Sequence, residues 1–375
     1  MAGIYIHIPF CRKKCHYCDF YRTTSLHQTT GYIEALLREI KERKGYLNKE
    51  SIGTIYFGGG TPSVLSPGEL SVILEQLDHH FSIDKEVETT LEANPDDLSE
   101  EYLNQIKQVG INRISIGIQS LTDRNLKLMN RRHSAAGAVQ SINDAFHAGF
   151  SDVSIDLIFG IPGQTIEEWI ETLNLAVQFP INHISAYHLT YHEETLFKKW
   201  LKTGKLKELP EDVSIAQFDA LFSVTSAAGF EQYEISNFAK NQAYSKHNTG
   251  YWLGKNYLGL GPSAHSFNGS TRQWNISVLE KYITGMLSGN PVCSTEVLSE
   301  KDKLNDYIIT GIRTKWGISI DYIREKFGDF LADRVIRSAL AYESKALVKI
   351  IQGVITLTQR GILVSDQISL DFLFL

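Results

Sequence analysis

The chain is poor in cysteine, proline and methionine, with four, nine and three of them among 375 residues. Four cysteines cannot staple a fold of this size, which excludes a disulfide scaffold of the secreted type. No uninterrupted apolar run reaches about 18 residues, so a membrane-spanning helix is not expected. The N-terminus lacks the charged, apolar, then small-residue order of a signal peptide and runs straight into a strand. There is no surplus of positive charge either. Lys and Arg number 37 against 43 Asp and Glu, a net charge of -6, so no global field recruits nucleic acid. Together these absences place the chain in a reducing, cytoplasmic compartment. What it does have is 43% hydrophobic residues, enough for a sizeable core in two or three domains.

Short β-rich runs alternate with amphipathic helical stretches. Strands are expected at Gly3–Ile8, Thr54–Phe57, Val87–Ala93, Arg113–Ile118, Asp152–Ile158 and His183–His188, each rich in β-branched or aromatic residues. Apolar spacing predicts helices over Thr30–Arg43, Pro67–His80, Ser99–Gln108, Ser134–Ala148 and Ile166–Gln178. Spacings of about 30 residues are those of βαβ units. Polar or Gly-rich segments follow all six strands, which favours a ring of loops around one centre over an open sheet with one switch point. The expected fold is α/β: a partial (β/α)6 barrel over residues 1–200, an extension over 201–297, and a small helical, winged-helix-like domain over 298–375. That last domain has no basic helix, so it is read as a packing module and not as a DNA reader.

Cys11, Cys15 and Cys18 lie on the loop after the first strand. Thiolates bind soft metals. A structural zinc site usually takes four ligands in two pairs, and here no second pair exists; His7 or His16 would complete one, so zinc stays open on spacing alone. An electron-carrying four-iron cluster is held by four cysteines. Three would leave one iron without a protein ligand, reserved for a substrate or cofactor. Cys293 is distant and is expected to be a buried free thiol.

The spacing Cys-x3-Cys-x2-Cys after a first strand, with Tyr17 between the last two thiols, resembles the radical S-adenosylmethionine (SAM) superfamily. The resemblance implies a [4Fe-4S] cluster on Cys11, Cys15 and Cys18, with SAM at the open iron. It further implies SAM contacts from Gly59, Gly60 and Thr61 in the GGGTP turn, from Glu92, and from Gln119, Arg131 and Asp156. Tyr5, Phe20 and Thr190 are carried over as residues lining the cofactor pocket. The chemistry implied is one-electron reduction of a sulfonium, and an external electron donor is then required.

IYIHIPFC, YFGGGTPS, LEANPDDL, RISIGIQS, DLIFGIPGQT, HNTGYW and YLGLGPSAHS together resemble the oxygen-independent coproporphyrinogen III oxidase-like family. Its true dehydrogenases resemble Cys-x3-Cys-x2-Cys-x-Cys and carry an N-terminal arm. Here position 20 is Phe and the first strand begins at residue 3. Both differences point to the heme-chaperone branch, with heme as a bound group and a respiratory cytochrome as the kind of acceptor. Any membrane proximity would come through that partner. Coproporphyrinogen dehydrogenase activity, in porphyrin biosynthesis, is the alternative and is expected to be absent. By the same resemblance His247, in HNTGYW, is a heme ligand, with His265 a lesser candidate.

Overall fold

The computed structural model describes residues 1–291 and 293–374. Six parallel strands follow one another in space as in sequence: β1 (Ala2–Ile8), β2 (Ile52–Gly59), β3 (Ile83–Ala93), β4 (Arg113–Gln119), β5 (Asp152–Phe159) and β6 (His183–His188). An open doubly wound sheet reverses strand order at a switch point. This order never reverses, so all six carboxyl ends open on one mouth, as the ring of polar loops predicts.

Between them run α1 (Thr29–Glu42), α2 (Pro67–His80), α3 (Glu100–Gln108), α4 (Asp123–Leu128), α5 (Ala135–His147) and α6 (Ile166–Ala176). Their starts are written locally. Ser66 and Thr165 form capping boxes with Glu69 and Glu168, and Ser99 and Ser134 accept from the third helical N–H. Each such cap is worth about 1 kcal/mol. α1 buries Tyr32, Ala35, Leu36, Glu39 and Ile40, one face at helical period, against the outward Ile4, Ile6 and Ile8 of β1. The expected strands and helices stand where the periodicity put them, with no end moved by more than four residues. The short α4 was not anticipated.

The later chain extends both edges of this sheet. After α7 (Leu196–Lys202) and α8 (Glu211–Ala227), β7 (Glu231–Gln232) and β8 (Asn237–Ala239) add antiparallel to β6. α9 (Lys246–Trp252) follows, and β9 (Tyr257–Leu260) pairs parallel with β1. β10 (His265–Phe267), β11 (Thr271–Asn275) and β12 (Cys293–Val297) continue that edge antiparallel, with α10 (Leu279–Ser288) packed on α1. Buried Glu39 ties the edge down, accepting from Gly261 N, Asn275 Nδ2 and Tyr282 OH at 2.7–2.8 Å. Cys293 is exposed, not buried as expected, because β12 is the edge strand of the sheet.

A second core forms from α11 (Glu300–Ile312), α12 (Ile320–Phe327) and α13 (Asp329–Glu343). With them pack β13 (Ile318–Ser319), β14 (Val348–Ile351), β15 (Val354–Leu357), α14 (Gln359–Ile362) and α15 (Ser365–Phe372). The β14–β15 hairpin turns at Gln352 and Gly353, both at positive φ, as a two-residue turn requires.

Candidate functional site

The cysteine loop bends off the end of β1 and is gripped from two sides. His16 N donates to Met129 O and its Nδ1 lies 2.9 Å from Leu128 O, at the end of α4. Phe197 N, in α7, donates to His16 O, and the His16 ring packs on Trp200 at 4.8 Å. Cys11 is buried, while Cys15 and Cys18 are half-buried. Burial raises the pKa of Cys11 and lifts that of Cys18 to about 11, and the neighbouring thiols add to both. Among the described residues no three His, Cys, Asp or Glu side chains converge on a point suited to one metal ion.

Each sulfur has its own donor. Thr61 Oγ1 donates to Cys11 Sγ at 3.2 Å, Arg131 Nη1 to Cys15 Sγ at 3.5 Å, and the Phe20 N–H to Cys18. Arg22 lies near Cys11 and Cys18, and its buried Nε has no partner; Arg131 Nε is likewise unpaired. Two guanidinium groups beside three thiols, each with a spare Nε donor, suit an anionic cluster. The donor set therefore fits [4Fe-4S], with no fourth cysteine at hand.

Arg131 does not sit on a strand. It lies after α4, held by Asn94 Oδ1 at 2.6 Å and Gly117 O at 2.5 Å, and reaches a thiol. Gly59 is at φ +107°, and a Cβ there would fall 2.6 Å from the His7 ring; at Gly60 it would fall 2.7 Å from Phe10 O. These glycines are required because the turn presses on the cysteine loop. Thr61 is thus fixed against Cys11.

Below the mouth, alternate residues of the strands line a chamber that solvent reaches from above: Tyr5, Tyr56, Glu92, Asp156 and Tyr187. Glu92 accepts from Tyr56 OH at 2.8 Å and from Gly59 N at 3.2 Å. Burial, with Asp156 adding, pushes its pKa up to about 7 against those two hydrogen bonds. Burial also raises Asp156, opposed by hydrogen bonds from Ser185 and Ser115. Gln119 ends β4 at φ +61°, an uncommon left-handed setting that re-aims the chain at the mouth. Of the expected SAM residues, Tyr5, Glu92 and Asp156 share the chamber, and Gly59, Gly60, Thr61, Gln119 and Arg131 surround its rim. Phe20 is 65% exposed and faces solvent. Thr190 is exposed and bonds His192, whose Nδ1 pairs with Asp19 at 3.2 Å.

His247, expected as a heme ligand, lies elsewhere. α9 plugs the floor of the barrel, at the amino ends of the strands, opposite the thiols. His247 is 3% exposed. Its Nδ1 meets Thr54 Oγ1 and its Nε2 meets Tyr251 OH, both at 2.8 Å. Tyr56 and Tyr5 stack on the ring at 5.1 and 6.3 Å, and the N–H groups of Lys246 and His247 donate to Glu88. Burial, then the nearby Arg113, pushes its pKa down to about 3. Both ring nitrogens are engaged and the ring is buried. His265 is exposed on β10, stacked on Trp274 at 6.1 Å. Sequence reasoning missed Tyr56, Arg113, Glu88 and Asn94. Tyr56 had a signal, lying in register with Tyr5 one strand over; Arg113 and Glu88 read as strand-end polar residues.

Residues 5–176 match the model of the Radical SAM superfamily, and residues 298–364 match the HemN C-terminal domain. A heme chaperone HemW of Bacillus subtilis (strain 168) is 33% identical over 377 residues, covering 100% of this chain and 99% of that one. The HemW of Mycobacterium tuberculosis (strain ATCC 25618 / H37Rv) is 32% identical over 376 residues, 98% of this chain and 93% of that one. The chain belongs to the HemW family. Its fold is also that of the solved coproporphyrinogen III oxidase HemN from Escherichia coli, with a TM-score of 0.86 over 99% of this chain and 89% of that one. At 22% identity that likeness speaks for the fold alone. Membership in the radical SAM superfamily carries a [4Fe-4S] cluster and SAM with it, and the thiol loop and chamber are where the geometry accommodates them.

Proposed function

We propose that this protein is a heme chaperone: it binds heme, passes it to an acceptor protein such as a respiratory cytochrome, and carries a SAM-binding [4Fe-4S] cluster. The observation that carries this reading is family membership over the whole chain, at matched length, with relatives named as heme chaperones. Position 20 supports it. Phe20 follows the third cysteine by two residues, where the dehydrogenase pattern has a further thiol, and its exposed ring offers no ligand.

Cys11, Cys15 and Cys18 hold the cluster, and Thr61, Arg131 and the Phe20 N–H stabilise the charge on their sulfurs. Gly59, Gly60, Glu92, Gln119 and Asp156, with Tyr5, bind and orient SAM; Glu92 accepts from its polar hydrogens. When bound, cluster and SAM supply one-electron reduction of a sulfonium. The barrel walls exclude water below the mouth, and an external donor supplies the electron. The protein works in the cytoplasm and meets membranes through its acceptor; among the described residues no helix is long and apolar enough to cross a membrane.

The test is anaerobic. Reconstituted protein receives reductant, SAM and coproporphyrinogen III, and heme binding is measured on the same preparation. Tight heme binding without protoporphyrinogen is expected. Appreciable protoporphyrinogen would overturn the chaperone in favour of the dehydrogenase.

A further inference from the structure

We propose that the rim around the cysteine loop is the docking surface for an acidic one-electron carrier protein that reduces the cluster. The inference rests on the cluster assignment above and adds the partner's chemistry and the place where it binds.

The chain as a whole is acidic, at -6. Its cluster rim is the reverse. Arg12, Lys13 and Lys14 fill the gap between the first two thiols, and all three are exposed. On one side stands the end of α4, whose segment Arg124–Arg132 holds four cations and no acid. It is tied to the loop by Asn130 Nδ2, which donates to Lys14 O at 2.7 Å. On the other side stands α7, where Leu196–Lys207 holds five lysines and no acid. Its contacts with the loop run through Phe197 and Trp200 to His16.

Three acids at the rim are already engaged. Asp97 is held by Arg12 and Arg132, Asp19 by His192, and Glu193 by Lys198 and Lys202. Glu194 and Glu208 flank α7 on either side. Lys13, Lys14, Lys127 and Lys199 make no ion pair among the described residues and point to solvent, so their charge is free to act on a partner. Lys205 lies over the Trp200 ring at 4.2 Å, and that ring packs on His16, next in sequence to Cys15. A carrier seated on the lysines therefore meets a packed route of two rings to a cluster ligand.

The chain must receive an electron and offers no second redox centre: its remaining cysteine is a lone exposed thiol. A carrier that steers onto a positive rim has to be negative there. One electron leaves the carrier's reduced cofactor and enters the oxidised cluster; no bond is made or broken.

The probe is a strongly acidic FMN carrier of the flavodoxin class, photoreduced and mixed with reconstituted full-length protein under anaerobic stopped flow. Dithionite, a small reductant, serves as the comparison. Bleaching of the cluster by the carrier is expected to slow at least tenfold at low salt in Lys13→Glu/Lys14→Glu, and independently in Lys199→Glu/Lys205→Glu. Dithionite rates should not change, nor should carrier rates in Lys326→Glu/Lys345→Glu on the C-terminal domain. Binding of the oxidised carrier, measured by calorimetry, should weaken in parallel and lose its salt dependence. Equal carrier rates in wild type and both rim variants overturn the proposal. So does unchanged carrier binding with lost binding to vesicles rich in anionic lipid, which would assign the rim to a membrane. If wild-type protein assembles no cluster that dithionite bleaches, the cluster assignment itself fails.

Discussion

The two ends of the barrel use the same residue types to opposite ends. At the mouth, two of the three thiols and the nearby arginines and carboxylates are half-buried, Arg131 Nη1 meets Cys15 Sγ, and Arg22 Nε and Arg131 Nε have no partner. At the floor, Glu88, Arg113 and His183 are buried, as is His247; Arg113 Nε makes no hydrogen bond and has only Asp152 at 3.4 Å, but the two histidines spend both ring nitrogens on fixed partners. A polar group with an unpaired valence near solvent waits for a ligand. A polar group wholly satisfied in the interior holds the fold in one arrangement. The HNTGYW helix belongs to the second kind, although its composition reads like the first.

The sharpest way to break that contrast is to remove one group at each end. Cys15→Ala should abolish the broad iron–sulfur absorption and leave urea unfolding of the apo protein nearly unchanged. Glu88→Ala should do the reverse. It strips the acceptor from the first two N–H groups of α9 and leaves the buried Arg113 with Asp152 as its one close acid; two unpaired buried N–H groups alone cost about 2–4 kcal/mol. Cluster content per folded chain should stay at the wild-type level. A Glu88 variant with normal stability, or one that folds fully yet holds no cluster, would erase the distinction between the ends.

A smaller change asks the same of His247. His247→Phe keeps the stack with Tyr5 and Tyr56 but loses the bonds to Thr54 and Tyr251, leaving two hydroxyls unpaired. A loss of about 2–4 kcal/mol is expected from two such groups. Heme affinity, by absorbance titration, should match wild type. A variant that keeps its stability but loses the heme spectrum would return His247 to the iron.

How far these two ends were legible in the sequence follows from what each depends on. The thiol loop rests on local spacing, so Cys11, Cys15 and Cys18 could be read directly. So could the strands and most helices, since capping boxes such as Ser66 with Glu69 are local too. The role of His247 depends on which end of a barrel a helix 190 residues after β2 closes, and no local pattern carries that. Arg131 shows the same limit. Its reach to Cys15 is set by Asn94, just past β3, and Gly117 on β4, so only the assembled rim shows that it serves a thiol. Cys293 was misjudged because composition favours buried free cysteines, whereas its exposure follows from strand order.

The finest test concerns Glu92, which lies between the two ends. Its pKa in the folded protein is about 7, above the ordinary 4.5, with burial as the main cause. Between those values the folded protein holds a proton that the unfolded chain has released. Its contribution to stability therefore falls as pH rises from about 4.5 to 7 and is level above. Burial raises Glu234 to about 7 as well, so the slope of wild type alone is not diagnostic. Glu92→Gln keeps Glu234 and removes one titration, and its unfolding midpoint should fall less steeply with pH over that window. The same proton must leave before Glu92 can accept from SAM, so SAM should bind wild type more tightly at pH 8 than at pH 6. In Glu92→Gln binding should be weaker and nearly flat. If the Gln variant shows the wild-type pH slope in both measurements, Glu92 is not the titrating group of the chamber. The chamber's chemistry would then pass to Asp156, the other raised carboxyl.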